Sequence, residues 1–181
     1  MVSRLKGIAG AMQSFSHDGF EFAFIDQQPT PAAEPVLLIH GFGSTHMVNW
    51  VSPGWVKTLT DAGYRAIAFD NRGHGATSKS YDPADYTPEK MAGDASALLD
   101  HLGISQAHVM GYSMGARIAA FLALAEPQKV ATLVFGGLGS GIVVAGASYA
   151  ALSVAGGVLG LAILPVLLST RPAGRLASGA A

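Results

Sequence analysis

Cysteine is absent from the 181 residues. That excludes disulfides, thiolate nucleophiles and Cys-ligated metal sites, and it fits a reducing, cytoplasmic setting. Charge is scarce as well. Charged residues make up 13% of the chain and the formal net charge is −1, so nothing in the charge balance points to nucleic acid or an anionic membrane surface. A secretory leader is not expected either. Arg4 and Lys6 are followed by a short apolar stretch broken by Gly7 and Gly10, whereas a leader needs about 7–15 apolar residues in a row. Residues 1–19 read as a mobile N-terminal arm.

The scarcity is uneven. All 12 acidic residues and all 6 histidines lie before Val130. Beyond Lys129 only Arg171 and Arg175 carry charge, and Asn, Gln, Asp, Glu, Lys and His do not occur. The two compositional halves need separate explanations.

What is present in the first half is an alternation of apolar strands and helices. Residues 20–26 alternate apolar and polar, the pattern of a half-buried strand. Residues 27–35 hold three prolines, which forbid regular structure. Continuous apolar runs at 36–41, 65–70, 107–112 and 130–137 predict strands buried on both faces. Between them, helical spacing covers 54–64, 87–104 and 114–127. Gly63 and Gly103 stand as C-terminal stops, Thr87 as an N-cap before Pro88, and Pro127 as a terminator. Strands and helices in this order predict an α/β domain with a doubly wound, mostly parallel sheet. Half the residues are hydrophobic, ample for one core.

Ligands bind at the carboxyl ends of such strands. Three unusual loops fall there: His40-Gly41-Phe42-Gly43, Asp70-Asn71-Arg72-Gly73-His74-Gly75 and Gly111-Tyr112-Ser113-Met114-Gly115. Together, over about residues 20–137, they resemble the α/β-hydrolase family. The resemblance implies that 111–115 is a nucleophile elbow, in which a tight strand-to-helix turn presents Ser113 and needs small residues two positions either side. It implies an oxyanion hole built from the backbone N–H groups of Met114 and Phe42, with Gly41 and Gly43 shaping the loop. Each such donor is worth about 3–4 kcal/mol in comparable enzymes. The turn at 70–78 resembles a scaffold feature of the family. Serine at the elbow, in place of aspartate, argues against the epoxide-hydrolase and dehalogenase branches, which use a carboxylate.

Other polar residues have plainer readings. His40 and His74 read as hydrogen-bonded structural residues. Asp94 reads as solvated or as a loop anchor. Asp100 and His101 are helix neighbours about 100° apart and cannot act as one acid–base pair. Met47, Trp50 and Trp55 either line a substrate pocket or pack in the core.

In this family the chain order is Ser, then Asp or Glu, then His. Downstream of Ser113 there is neither His nor Asp, and the one acid is Glu126 at a helix end. The elbow and oxyanion loop therefore have matching positions, while the catalytic acid and base have none. His40, His46 and His74 lie on the correct rim and are the available substitutes. The fold is expected to be truncated after the strand at 130–137. Unless the tail supplies further strands, that strand is a bare edge and the protein is marginally stable or aggregates.

Residues 138–181 form an apolar tail of low complexity. Residues 142–168 carry no charge, and roughly 20 apolar residues span a bilayer, with Gly156 and Gly160 making a small-xxx-small step. Pro165 and the Ala, Gly and Ser content weigh against a membrane anchor, which is not favoured. The composition also matches a GC-rich gene translated out of frame from near Gly139.

The resemblance thus implies a serine hydrolase of a carboxylic ester, lactone or similar small acyl compound, working through an acyl-enzyme, without cofactor or metal and without nucleic acid. The activity of this chain itself is expected to be weak or absent. The alternatives are a non-catalytic binding module, a C-terminally membrane-anchored domain, or a half-domain completed by a partner chain. Oligomeric state is open.

Overall fold

The computed structural model describes residues 11–136 together with the backbone of two further strands, 142–145 and 153–155. Eight strands form one sheet: β1 (Gln13–His17), β2 (Phe20–Gln27), β3 (Pro35–Ile39), β4 (Arg65–Phe69), β5 (Ala107–Tyr112), β6 (Val130–Gly136), β7 (Ile142–Ala145) and β8 (Ser153–Ala155). Their spatial order is β1-β2-β4-β3-β5-β6-β7-β8. The central run β4-β3-β5-β6 is parallel, and the outer pairings are antiparallel.

Side chains alternate across β3, and the two sets enter two different cores. Leu37 and Ile39 pack under α2 (Pro88–His101) and α3 (Met114–Ala125), with Leu98, Leu99, Ile118 and Leu122. Val36 and Leu38 pack under α1 (Trp55–Asp61), with Val56, Leu59 and Trp50. A strand covered on both faces must be apolar at every position, which is why the central runs carry no polar alternation.

The helix stops lie where the glycines predict. Gly63 and Gly103 have φ of 89° and 66°. In the same turns the Tyr64 and Ile104 N–H groups bond back to the Leu59 and Leu99 carbonyls, closing each helix. Thr87 caps α2 through its side chain, which accepts from Lys90 N–H.

Two expectations are corrected, for the arm and for β2, and two open ones are resolved, for the strand at 130–136 and for the tail. Within the predicted arm, residues 13–17 form β1, paired in register with β2 through Phe15↔Phe22; the phenylalanine rings stack at 5.1 Å. β2 is buried on both faces over most of its length, because the segment after β4 packs over it, Thr77 Oγ1 accepting from Ala23 N–H. The strand at 130–136 is not an edge: β7 pairs with it, Val134↔Val144. The positions 142–145 and 153–155, read as part of a possible membrane segment, are sheet strands. The rest of 142–168, with Gly156, Gly160 and Pro165, lies outside the described residues. Among the described residues no helix is long and apolar enough to cross a membrane.

Candidate active site

β5 and α3 meet at Ser113 with no connecting residues. To turn that sharply the backbone at Ser113 takes φ 53°, ψ −113°, a region that costs a non-glycine residue on the order of 1–3 kcal/mol. The flanking glycines make the turn possible. A β-carbon at residue 111 would come within 3.0 Å of the Gly115 carbonyl, and one at residue 115 within 3.0 Å of the Ile39 carbonyl. The Ser113 N–H donates to the Gly136 carbonyl at 2.8 Å, so the end of β6 holds the turn from the other side. The Ser113 side chain is exposed. Met114 is the first residue of α3, so its N–H has no carbonyl partner within the helix and lies at the positive end of the helix dipole.

Gly41 brings the loop after β3 onto this turn. A β-carbon there would lie 3.0 Å from Tyr112 Cδ1 and 3.3 Å from Ser113 Cβ. The polar backbone groups around Phe42 are taken one by one. Gly41 N–H donates to Asn49 Oδ1 at 2.8 Å. The Gly41 carbonyl accepts from His40 Nδ1–H at 2.7 Å. Gly43 N–H donates to His74 Nε2 at 3.2 Å. Among the described residues the Phe42 N–H has no partner. The Phe42 ring is 81% exposed and meets His74 edge-on, centroids 5.7 Å apart.

His40 is fully buried, and Asn71 N–H donates to its Nε2 at 3.0 Å. That bond fixes the tautomer and leaves the proton on Nδ1. Burial pushes the imidazole down to about 4, against the opposing hydrogen bond to Gly41, with His74 adding to the lowering. His40 is therefore neutral at neutral pH, with both nitrogens occupied, as a structural residue should be. His74 is engaged in the same way, Nδ1–H donating to the Arg72 carbonyl at 2.9 Å.

The segment after β4 is tied down by two buried carboxylates. Asp70 Oδ1 accepts from both the His46 N–H and the His46 ring at 2.8 Å, and Oδ2 accepts from Ala76 N–H at 2.9 Å. Burial alone would raise its pKa; the hydrogen bonds from His46 and Ala76 outweigh that and hold it below the ordinary value. Asp94 is buried, not solvated. It takes Arg72 in a fork, Nε and Nη2 each at 2.6 Å, so it is the loop anchor of the two roles considered. Arg72 also donates to the Asp85 carbonyl and lies 4.6 Å over the Phe20 ring.

The remaining candidates sort plainly. Glu126 pairs with Lys129 at 2.9 Å on the helix end. Asp100 also pairs with Lys129, and His101 stacks on Phe15. Trp50 is in the core and Trp55 packs against it, whereas Met47 stays 42% exposed. Asp70 follows β4 and Ser113 follows β5, with β3 between them. Asp70 and the serine turn therefore follow strands that are not neighbours, while His46, from the segment after β3, spends its ring Nδ1 and its N–H on Asp70. Among the described residues no cluster of three or more His, Cys, Asp or Glu is placed to hold a metal. Sequence reasoning did not anticipate Asn49, Gly136 or the His46–Asp70 and His74–Gly43 contacts. All are long-range, and no local pattern signals them.

A family model for the alpha/beta hydrolase fold matches residues 34–141. The chain belongs to the alpha/beta hydrolase fold family. Part of the chain is similar to proteins of several names. It is 44% identical over 98 residues to the dihydrolipoyllysine-residue acetyltransferase component of the acetoin cleaving system of Cupriavidus necator, covering 54% of this chain and 25% of that protein. It is 40% identical over 102 residues to epoxide hydrolase 2 of Siraitia grosvenorii, covering 55% and 30%. The crystal structure of an epoxide hydrolase from Vigna radiata superposes with a TM-score of 0.64 at 26% identity, over 71% of this chain and 40% of that one. The chain thus spans 25–30% of the length of these two relatives.

Proposed function

We propose that this alpha/beta hydrolase carries the nucleophile half of a serine hydrolase acting on a carboxylic ester, lactone or similar acyl compound. The observation that carries the reading is Ser113 at φ 53°, ψ −113° at the N-terminus of α3, beside a loop in which the Phe42 N–H is left without a partner among the described residues while Gly41 and Gly43 on either side are bonded. The Ser113 hydroxyl attacks the acyl carbon. The oxygen that gains charge is received by the Phe42 and Met114 N–H groups. The C–O bond to the alcohol or ring oxygen breaks, that oxygen takes a proton from solvent water in exchange for the one Ser113 gives up to solvent, and the acyl group stays on Ser113. Two of the similar proteins bear the name epoxide hydrolase. A hydroxyl at the elbow favours acyl chemistry over the carboxylate attack of that branch.

The proton-handling half is not matched within the 181 residues. Neither His nor Asp follows Ser113, His40 and His74 have both nitrogens engaged, and the Nδ1 of His46 is held by Asp70. Serine hydrolases stripped of triad members retain roughly 10³–10⁴-fold over water from the oxyanion hole and binding. The chain alone is accordingly a slow acylating protein.

The test is incubation of the whole chain with p-nitrophenyl acetate, followed by intact-mass and peptide mass spectrometry. The expected result is a single acetyl group on Ser113, turned over slowly, and none in Ser113→Ala. Acetylation mapping elsewhere, or unchanged release of p-nitrophenol by Ser113→Ala, overturns the reading.

A further inference from the structure

We infer that His74 is a positioning residue that steadies the Phe42 amide by holding the peptide after it, and releases that peptide on protonation; the inference rests on the serine-hydrolase reading above. The argument begins with peptide planarity. Phe42 sits between two planar peptide units, and only its own φ and ψ are soft. The unit before it contains the Gly41 carbonyl and the Phe42 N–H. The unit after it contains the Phe42 carbonyl and the Gly43 N–H. His40 Nδ1–H holds the first unit through the Gly41 carbonyl, and His74 Nε2 holds the second through the Gly43 N–H. The Phe42 N–H lies in the unit held by His40; His74 acts on it through the next unit, by limiting rotation about the Phe42 φ and ψ.

The two histidines differ in their access to solvent. His40 is buried and its acceptor nitrogen faces a backbone N–H. His74 is only partly buried, so solvent protons reach it. A doubly protonated imidazole has two donors and no acceptor. Protonation at Nε2 would turn an acceptor for the Gly43 N–H into a donor facing it. The second plane then loses its hold, and the Phe42 ring loses its edge contact with the imidazole.

The groups around His74 leave it free to act in this way. From the end of β3 comes the His40 ring, centroid 5.2 Å away. From the segment after β4 come Arg72, whose guanidinium is spent on Asp94, and Asp70, whose oxygens are taken by His46 and Ala76. Lys79 is bonded to the Gly75 and Thr77 carbonyls. No carboxylate among the described residues bonds the His74 ring, whose Nδ1–H goes to the Arg72 carbonyl.

The experiment follows backbone amides of the ¹⁵N-labelled whole chain by NMR. In the wild type the Gly43 amide signal is expected to move with the His74 imidazole as pH falls, and Phe42 to follow. His74→Gln offers an oxygen where Nε2 stood and cannot titrate; it should keep the Gly43 amide protected and abolish the pH response. His74→Ala should speed Gly43 amide exchange about five- to tenfold at all pH, the measure of one lost hydrogen bond. A Gly43 signal indifferent to the His74 titration, or exchange unchanged in His74→Ala, overturns the positioning role. Phenylboronic acid separates this from the underlying reading, because its tetrahedral adduct on Ser113 would address the Phe42 amide. If the Gly43–His74 coupling is seen and the adduct forms without moving the Phe42 signal, the oxyanion reading falls and takes the catalytic meaning of the clamp with it.

Discussion

The Ile39 carbonyl and the α-carbon of Gly115 lie so close that a β-carbon at residue 115 would enter within 3.0 Å of the carbonyl oxygen. The end of β3 and the first turn of α3 therefore touch through backbone alone. The space is closed by rigid atoms, not by the tip of a side chain that could swing away. Gly115→Ala is expected to destabilise the fold by about 2–4 kcal/mol, within the range of overpacked cores and backbone shifts. Gly43→Ala meets open space and pays only for its φ of 66°, about 1–2 kcal/mol. Urea denaturation of the two variants side by side checks the ranking; equal midpoints would show that the contact is not tight.

The strain at Ser113 has a measurable sign. Ser113→Gly relieves a positive φ worth about 1–3 kcal/mol and adds about 0.5–1 kcal/mol of chain entropy cost. The variant should unfold at slightly higher temperature than the wild type while losing acylation by p-nitrophenyl acetate. Ser113→Ala keeps the strain and should match the wild type in stability. Calorimetry on the three proteins distinguishes these cases, and a Ser113→Gly variant less stable than Ser113→Ala would count against strain at the turn.

Arg72 and Asp94 are buried side by side in a bidentate pair. Removing Arg72 leaves Asp94 charged and buried, and removing Asp94 leaves Arg72 only the half-exposed Asp18 at 3.2 Å and the Asp85 carbonyl, at a cost of about 3–5 kcal/mol. Asp94→Leu and Arg72→Met should each show this loss, and the double variant should recover most of it. Arg72→Lys should fare little better than Arg72→Met, because an ammonium cannot reproduce the fork to Asp94 together with the bond to the Asp85 carbonyl. A double-variant cycle in urea gives the coupling; additive losses would mean that the pair is not a unit.

Asp70 ties the segment after β4 to His46, in the segment after β3. Its carboxyl is held below the ordinary value, so its charged form is favoured by folding. The stabilisation is fully present above the unfolded carboxylate value and is lost as pH falls through the lower, folded one. The wild type is therefore expected to lose stability in acid below about pH 4, with a shallower dependence in Asp70→Asn. The variant should also be less stable at neutral pH, since Oδ1 serves both the His46 ring and the His46 N–H. Thermal midpoints across pH 3–7 would show whether the two curves converge in acid.

Much of this fold is legible in the chain. The continuous apolar runs at β3, β4, β5 and β6 announce strands covered on both faces, and β5 and α3 lie within a residue or two of their expected limits. Thr87, Gly63 and Gly103 mark helix ends because caps and left-handed stops are local events. The spacing Gly111, Ser113, Gly115 is legible for the same reason: a tight turn constrains only residues within it. The short strand β1 was not. It is stabilised by Phe15 stacking on Phe22 and by the His101 ring, and a run of polar residues with one phenylalanine carries no period of its own.

What the sequence alone determined, then, is every feature whose cause lies within a few residues: strand and helix identity, the caps, and the serine turn. It also determined an absence, the lack of a His or Asp after Ser113, which no folding can supply from within that part of the chain. Tertiary structure decided the rest. Only the sheet order sets Asp70, after β4, two strands from Ser113, after β5, and brings His46 to it. Only the packing of the segment after β4 against the loop after β3 hands the Gly43 N–H to His74 and leaves the Phe42 N–H uncommitted. Hydrogen bonds between residues some thirty positions apart are chosen by how the chain closes upon itself, because a short-range pattern cannot encode which distant donor will arrive.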